Sequence, residues 1–229
     1  MKIGILQTGH APDDLIDSSG DYDQMFCDLL AGHGFEFQTW AVVDGAFPDG
    51  PDAADGWIIT GSKFGAYEAH PWIAPLESLV RALHKAKRPL VGVCFGHQII
   101  AQAMGGKVEK FRGGWSVGRV DYPMSDGRTL PLFAWHQDQV TTPPPGAVTV
   151  ASTEFCKHAA LTIGDHIYTI QPHPEFKAGF VEGLAMTRAV GVVPEPLRLA
   201  AIESTKTPVA QAEMADLFTA VFKGAMAHG

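Results

Sequence analysis

Cysteine is scarce in this sequence. Its 229 residues include three cysteines, Cys27, Cys94 and Cys156, and none of them belongs to a Cys-x-x-Cys pair. An odd number of cysteines cannot form a closed set of disulfides. We therefore expect reduced cysteines and a chain that works in the cytoplasm.

Positive charge and long apolar runs are also in short supply. The 17 lysines and arginines are outnumbered by 25 acidic residues, which gives a formal net charge of −8. Nucleic-acid binding needs a basic face, so the composition argues against a nucleic-acid partner.

The sequence has no run of about 18 apolar residues. Residues 1–6 lead directly into a strand pattern without the apolar core of a signal peptide. We expect no membrane-spanning segment.

What remains is the composition of an ordinary folded protein. Hydrophobic residues make up 46% of the chain and charged residues 18%. At about 150 residues per domain, this length allows one or two domains. Strand and helix patterns continue without a linker, so we predict a single domain over residues 1–229 that includes the helices of residues 195–229.

The order of these patterns predicts an α/β fold. Up to Met104, short apolar runs alternate with amphipathic helices, as in a doubly wound sheet of parallel strands. A polar loop is expected at residues 8–20. Shorter strands follow Gly106, with antiparallel pairing and a hairpin turn at Gly164-Asp165. We predict a mostly parallel, flavodoxin-like sheet with a small antiparallel region in the second half.

One cysteine lies at a sharp turn between a predicted strand and a predicted helix. The motif is Gly92-x-Cys94-x-Gly96, and it follows the apolar run of residues 90–93. Glycines two residues to either side relieve the crowding around a nucleophile on such an elbow. The helix N-terminus favours a thiolate over a thiol. Taken alone, the motif leaves two interpretations open, namely a nucleophile or one more small buried residue.

A second motif supplies a base. In Gln171-Pro172-His173-Pro174-Glu175, the two prolines favour an extended backbone. His173 and Glu175 then point the same way, so the carboxylate can hold one ring nitrogen while the other faces a nucleophile. Because the motif follows a predicted strand, it lies at a sheet edge. Cys94, His173 and Glu175 together supply a nucleophile, a base and a group that orients the base.

His136 is an alternative base. It shares a face with Asp138 in the segment Trp135-His136-Gln137-Asp138. A histidine at a strand end that bonds to a neighbour is the simpler interpretation. Zinc needs more than these two ligands, so we expect no metal site and no cofactor.

The two motifs together resemble those of the class I glutamine amidotransferases. The resemblance rests on Gly92-Val93-Cys94-Phe95-Gly96-His97-Gln98 and on His173-Pro174-Glu175 some eighty residues later. Gly61-Ser62 and Trp135-His136-x-Asp138-x-Val140 are similar to further segments of that family. Within the family, the chain is most similar to stand-alone members related to the amidotransferase domain of GMP synthase and to plant γ-glutamyl peptidases.

The resemblance implies an enzyme that cleaves a γ-glutamyl amide bond. Its substrate would be glutamine or another small γ-glutamyl compound, and Cys94 would attack the γ-carbonyl with His173 and Glu175 as its partners. The amides of Gly61, Ser62 and Phe95 would stabilise the oxyanion. The side chains that would bind the substrate are those of Gln98, for the α-amino end, and Ser116, for the α-carboxylate.

The chain also departs from the family pattern. Gly61-Ser62-Lys63 stands where the family often has Gly-Gly-Pro, and Pro172 replaces the more usual aromatic residue. We expect no synthetase domain after Glu175, so ammonia transfer would need a synthetase partner, whereas a γ-glutamyl hydrolase would act alone. Two other hypotheses are a catalytically silent regulatory subunit and a chaperone or hydrolase that shares only the elbow.

Overall fold

The computed structural model of the protein describes residues 1–224. In this part of the chain there are eleven strands: β1 (Lys2–Gln7), β2 (Glu36–Ala41), β3 (Gly56–Ile59), β4 (Leu90–Val93), β5 (Lys107–Lys110), β6 (Ser116–Pro123), β7 (Thr129–His136), β8 (Asp138–Thr142), β9 (Ala147–Ala151), β10 (Ala160–Ile163) and β11 (Ile167–Ile170). The seven α-helices of the same part are α1 (Asp13–Ser19), α2 (Tyr22–Leu29), α3 (Ile73–Lys85), α4 (Phe95–Ala103), α5 (Ala178–Met186), α6 (Glu195–Ser204) and α7 (Gln211–Phe222).

Seven of the described strands form one central sheet in the order β2-β1-β3-β4-β11-β10-β9. The first five strands in this order, from β2 to β11, run parallel to one another. Every residue of β3, β4 and β11 is buried, because helices cover both faces of the sheet. Parallel strands end at the same edge of a sheet, so the segments after β1, β3, β4 and β11 meet at one edge.

The second half of the chain adds the antiparallel strands. β10 pairs with β11 around the predicted Gly164-Asp165 turn, and β9 pairs with β10. Within the described residues, β5 with β8 and β6 with β7 form two further antiparallel sheets of two strands each. The expected antiparallel region is therefore present, and it lies beside the edge where β11 ends.

The late helices cover the core. Met214, Phe218 and Phe222 of α7 pack in one buried cluster with Ile3 of β1 and Phe26 of α2. These helices therefore complete the hydrophobic core of the first half of the chain. The last five residues of the predicted domain, 225–229, lie outside the described residues.

One local expectation was wrong, and one strand was not predicted. The polar loop expected at residues 8–20 contains α1, which begins after Pro12 and places Leu15 against Gly183 of α5. Burial of this one side chain outweighs the weak helical signal of a seven-residue acidic segment. β8 gave no separate strand signal either, because its polar residues acquire their extended form by pairing with β5.

We predict that α7 unfolds together with the rest of the chain. Phe218→Ala removes a completely buried ring, so we expect the free energy of unfolding to fall by about 3–5 kcal/mol in one transition. Urea titrations monitored both by tryptophan fluorescence and by circular dichroism test whether there is a single unfolding transition. Leu199→Ala, at a side chain that is 51% exposed, is the control and should change the value by less than about 0.5 kcal/mol. An early, separate loss of helix signal would contradict the single domain.

Candidate active site

Cys94 lies on a strained elbow between β4 and α4. Its backbone has φ 52° and ψ −102°, a left-handed conformation that residues other than glycine rarely adopt. Such a residue costs about 1–3 kcal/mol and persists only where its surroundings enforce it. The elbow leaves Cys94 at the N-terminus of α4, where the helix dipole favours a negative charge.

The two flanking glycines make the elbow possible. A Cβ on Gly96 would lie 2.2 Å from the carbonyl oxygen of Ile59, and one on Gly92 would lie 2.6 Å from the carbonyl oxygen of Gly96. Both distances are far shorter than a real Cβ contact, and the atoms met belong to the backbone. The crowding inferred from the Gly92-x-Cys94-x-Gly96 motif is therefore present.

The histidine segment reaches the same place because β11 is the parallel neighbour of β4. Val93 is opposite Ile170, and the amide of Cys94 donates to the carbonyl of Ile170 at 2.8 Å. Three residues later, the amide of His173 donates to the carbonyl of Phe133 in β7 at 2.8 Å. These backbone bonds fix His173 beside Cys94.

His173 is held from two sides. Its Nδ1 lies 2.7 Å from Oε1 of Glu175, and both side chains are buried. Phe176 stacks on the imidazole with the ring centroids 3.9 Å apart and the planes 6° apart. A carboxylate only accepts hydrogen bonds, so Nδ1–H donates to Glu175, and Nε2 is the ring nitrogen left to interact with Cys94.

The charges around His173 favour its protonated form. Burial lowers the pKa of His173, but the negative charge of Glu175 and the neighbouring Cys94 raise it to about 10. The raised pKa favours the imidazolium form of the ring at neutral pH. Among the described residues, Oε2 of Glu175 is buried without a hydrogen-bond partner. The three side chains form a compact charged group in a buried setting.

The alternative base has the opposite character. His136 is buried at the end of β7, where Nδ1 lies 3.3 Å from the carbonyl oxygen of Asp138, not from its carboxylate. Burial and the nearby His173 lower the pKa of His136 to about 3. A ring that stays neutral and pairs with a backbone carbonyl fits the simpler interpretation of a strand-end histidine.

The segment after β3 lies against Cys94 and His173. A Cβ on Gly61 would come within 3.0 Å of the Cε1 atom of His173 and 3.8 Å of the Cβ atom of Cys94. The Ser62 hydroxyl donates to the carbonyl of Thr8 at 2.7 Å, so only the amide of Ser62 is available to a ligand. Phe95 begins α4, and its amide is the first of the helix, next to the thiol.

The two predicted substrate-binding residues lie at different distances from the elbow. Gln98 is in the second turn of α4, and its Nε2 donates to the carbonyl of Asp138 at 2.9 Å and to Oε1 of Gln171 at 3.1 Å. Both N–H groups are thus engaged, which leaves Oε1 for a ligand. Ser116 begins β6 and pairs in register with His136. The structure brings Gln98 to the elbow and Ser116 to the neighbouring antiparallel sheet.

Sequence reasoning missed two aromatic neighbours of this group. Phe176 stacks on His173. It directly follows the Pro174-Glu175 pair in the sequence, and this closeness to the motif was the signal that could have indicated the contact. Tyr22 is the first residue of α2, and its ring packs against Phe176 with the ring centroids 6.2 Å apart. Burial, and then interactions with Cys94 and Glu175, raise the pKa of Tyr22.

Within residues 1–224, no group of three or more His, Cys, Asp or Glu side chains is arranged to hold a metal ion. In the same residues, no helix is long and apolar enough to cross a membrane.

The sequence resembles known proteins over most of its length. The profile of the family described as "Glutamine amidotransferase class-I" matches residues 15–187. "Gamma-glutamyl peptidase 3" of Arabidopsis thaliana is 34% identical over 179 residues, which cover 69% of this chain and 70% of that protein. "GMP synthase [glutamine-hydrolyzing]" of Pyrobaculum aerophilum is 37% identical over 124 residues, or 52% of this chain and 23% of that protein.

A solved structure has the same architecture. The glutamine amidotransferase from Methylobacillus flagellatus superposes with a TM-score of 0.76 at 23% identity, over 100% of this chain and 96% of that one. This likeness confirms the α/β fold with a mostly parallel sheet and a small antiparallel region.

We predict that Gly96→Ala destabilises the elbow. The new Cβ would overlap the carbonyl oxygen of Ile59, and backbone atoms cannot move away cheaply, so we expect a loss of about 2 kcal/mol or more. Thermal unfolding measures it. The matched control is Gly179→Ala near the start of α5, where nothing lies within 4 Å of the added carbon. That variant should be unchanged or stabilised by up to about 1 kcal/mol.

We also predict that the charge of Glu175 keeps His173 protonated. In the wild-type protein the ring should stay charged well above neutral pH, because its pKa is raised from the ordinary 6.5. Glu175→Gln removes one negative charge, so the midpoint should move down. NMR titration of the imidazole nitrogens measures it, with His136 neutral throughout as the internal control. An unmoved midpoint in Glu175→Gln would contradict the assigned cause.

Proposed function

Because the chain belongs to the class I glutamine amidotransferase family, we propose that it cleaves γ-glutamyl amide bonds through a γ-glutamyl thioester on Cys94. The observation that carries the proposal is the group of three side chains. A cysteine on a strained elbow lies beside a histidine whose Nδ1 is 2.7 Å from the carboxylate of Glu175. Nucleophile, acid–base group and orienting carboxylate are the parts that acyl transfer needs.

In the first half of the reaction, the Cys94 thiolate attacks the γ-carbonyl carbon. A C–S bond forms, and the carbonyl π electrons move to the oxygen. The amide of Phe95, with those of Gly61 and Ser62, stabilises the oxyanion; loss of one such donor typically costs about 3 kcal/mol. When the oxyanion collapses, the C–N bond breaks and the His173 imidazolium gives its proton to the leaving nitrogen. Ammonia or an amine departs and the thioester remains.

In the second half, His173 acts as the base. The neutral imidazole takes a proton from water while the oxygen attacks the thioester carbon. The tetrahedral intermediate then expels the Cys94 thiolate, and glutamate leaves. Glu175 stabilises the imidazolium in both halves and keeps Nδ1 protonated, so that Nε2 always faces the sulfur.

Recognition of the γ-glutamyl group is assigned to Gln98 and Ser116. The Oε1 atom of Gln98 is the part of its amide not used by the protein, and it is an acceptor suited to the substrate's α-ammonium group. Ser116 would donate its hydroxyl to the α-carboxylate. A free α-amino group on the substrate is therefore a requirement of the proposal.

Two modes of action fit this chemistry. A γ-glutamyl hydrolase works alone in the cytoplasm, where its thiol stays reduced. An amidotransferase passes ammonia to a synthetase partner. The relationship to a γ-glutamyl peptidase over two thirds of both chains favours the first mode. The shorter match to a GMP synthase keeps the second as the alternative.

We predict that turnover depends on Cys94. Glutamine, glutathione and several γ-glutamyl amines are supplied to the purified chain, and released glutamate is measured. Cys94→Ala should lower kcat by at least about 10⁴-fold, as losses of a nucleophile do in comparable sites. The control Cys27→Ala changes a half-buried cysteine of α2 and should leave the rate within about twofold.

The substrate profile separates the two modes. Rapid cleavage of a γ-glutamyl peptide or amine identifies a self-sufficient hydrolase, whereas slow cleavage of glutamine alone identifies a subunit that needs a synthetase. If the wild-type chain cleaves none of these compounds and a thiol reagent leaves Cys94 unlabelled, the catalytic proposal is wrong and the silent regulatory subunit replaces it.

A further inference from the structure

Two buried hydrogen bonds between side chains join the nucleophile helix to the strand that carries the histidine segment. Nδ1 of His97 lies 2.8 Å from the hydroxyl of Thr169, and Nε2 of Gln98 donates to Oε1 of Gln171 at 3.1 Å. All four side chains are buried. The second of these bonds ends on a residue to which the proposed function gives no role.

The surroundings of Gln98 decide which way its amide points. A side-chain amide can turn over and exchange its oxygen and nitrogen. Here two acceptors, the carbonyl of Asp138 and Oε1 of Gln171, both require the NH₂ group. Turning the amide over would place oxygen against oxygen at two positions. Without Gln171, only one acceptor would hold the NH₂ group, and the opposite orientation would become accessible.

Gln171 cannot itself reach a substrate. Its side chain has no exposed surface. The backbone is fixed as well, because the amide of Gln171 donates to the carbonyl of Ala159 at 2.8 Å and Pro172 restricts the residue before it. Among the described residues, Nε2 of Gln171 has no hydrogen-bond partner, and the side-chain hydrogen bond of Gln171 is the one that its Oε1 accepts from Gln98.

We propose that Gln171 is a positioning residue that aims Oε1 of Gln98 at the α-ammonium group of a γ-glutamyl substrate. This inference rests on the proposed function and deepens it. Recognition of the α-amino group would depend on a buried residue that acts through Gln98 and does not itself contact the ligand. Gln171 thereby links substrate binding to the segment that carries His173 and Glu175.

The first test separates binding from chemistry. Gln171→Met keeps the volume and removes the acceptor. Loss of one buried hydrogen bond should raise KM for the best γ-glutamyl substrate about 3- to 10-fold and leave kcat within about twofold. Gln102→Met is the matched control, since the amide of Gln102 also lies on α4 and donates to two acceptors, Ala66 and Glu77. Its KM should stay within about twofold of the wild-type value.

A double-mutant cycle then asks whether Gln171 acts through Gln98. If it does, Gln98→Met combined with Gln171→Met should raise KM no further than Gln98→Met alone. Gln171→Glu should restore a KM within about threefold of wild type, because burial keeps the new carboxyl neutral and its oxygen still accepts. If Gln171→Met does not fold, the test relies on Gln171→Glu. In a Gln171→Glu variant with an unchanged melting temperature, a KM that is tenfold or more above the wild-type value would overturn the proposal.

Covalent labelling tests the inference without turnover. A glutamine analogue that carries a reactive diazoketone needs its α-amino group to be recognised, whereas iodoacetamide has none. In Gln171→Met, labelling of Cys94 by the analogue should slow about 3- to 10-fold while labelling by iodoacetamide stays within about twofold. Equal slowing by both reagents, equal falls in kcat and kcat/KM, or additive losses in the cycle would overturn the positioning role. A wild-type chain that neither hydrolyses γ-glutamyl compounds nor reacts with the analogue would instead remove the proposed function.

Discussion

The parallel pairing of β4 with β11 is the constraint on which the site depends. β4 ends one residue before Cys94, and β11 ends three residues before His173, so a register with Val93 opposite Ile170 brings both residues to one point of the sheet edge. A shift of one residue along either strand would turn the side chains to the opposite face. The buried bond between Gln98 and Gln171 and the backbone bond from Cys94 to Ile170 hold this register.

Strain and charge are concentrated where these strands end. The left-handed backbone of Cys94 is tolerated because Gly92 and Gly96 let the elbow pack at distances that no Cβ would permit. A positive charge on His173 is tolerated in a buried position because the Glu175 carboxylate lies 2.7 Å from its Nδ1. The strained backbone and the buried charge each cost free energy. The packed hydrophobic core, which includes α7, keeps both in place.

Much of this could be predicted from sequence because the informative residues carry strong local signals. Buried strands have continuous apolar runs, and Pro172 and Pro174 restrict the backbone around His173. The sequence could not indicate α1, whose helix depends on a long-range contact of Leu15. It also gave no role to Gln171, because a buried glutamine becomes informative only when its partner is visible in space. Local pattern predicts elements well and side-chain networks poorly.

The thioester on Cys94 is the most direct test of the proposed chemistry. The wild-type chain is mixed with a saturating γ-glutamyl peptide, quenched in acid at a series of short times, digested and weighed by mass spectrometry. The proposed mechanism predicts that the peptide containing Cys94 gains the mass of one γ-glutamyl group during turnover, and that hydroxylamine removes it. Continued turnover with Cys94 unmodified at every time, or with the group on another residue, would contradict it.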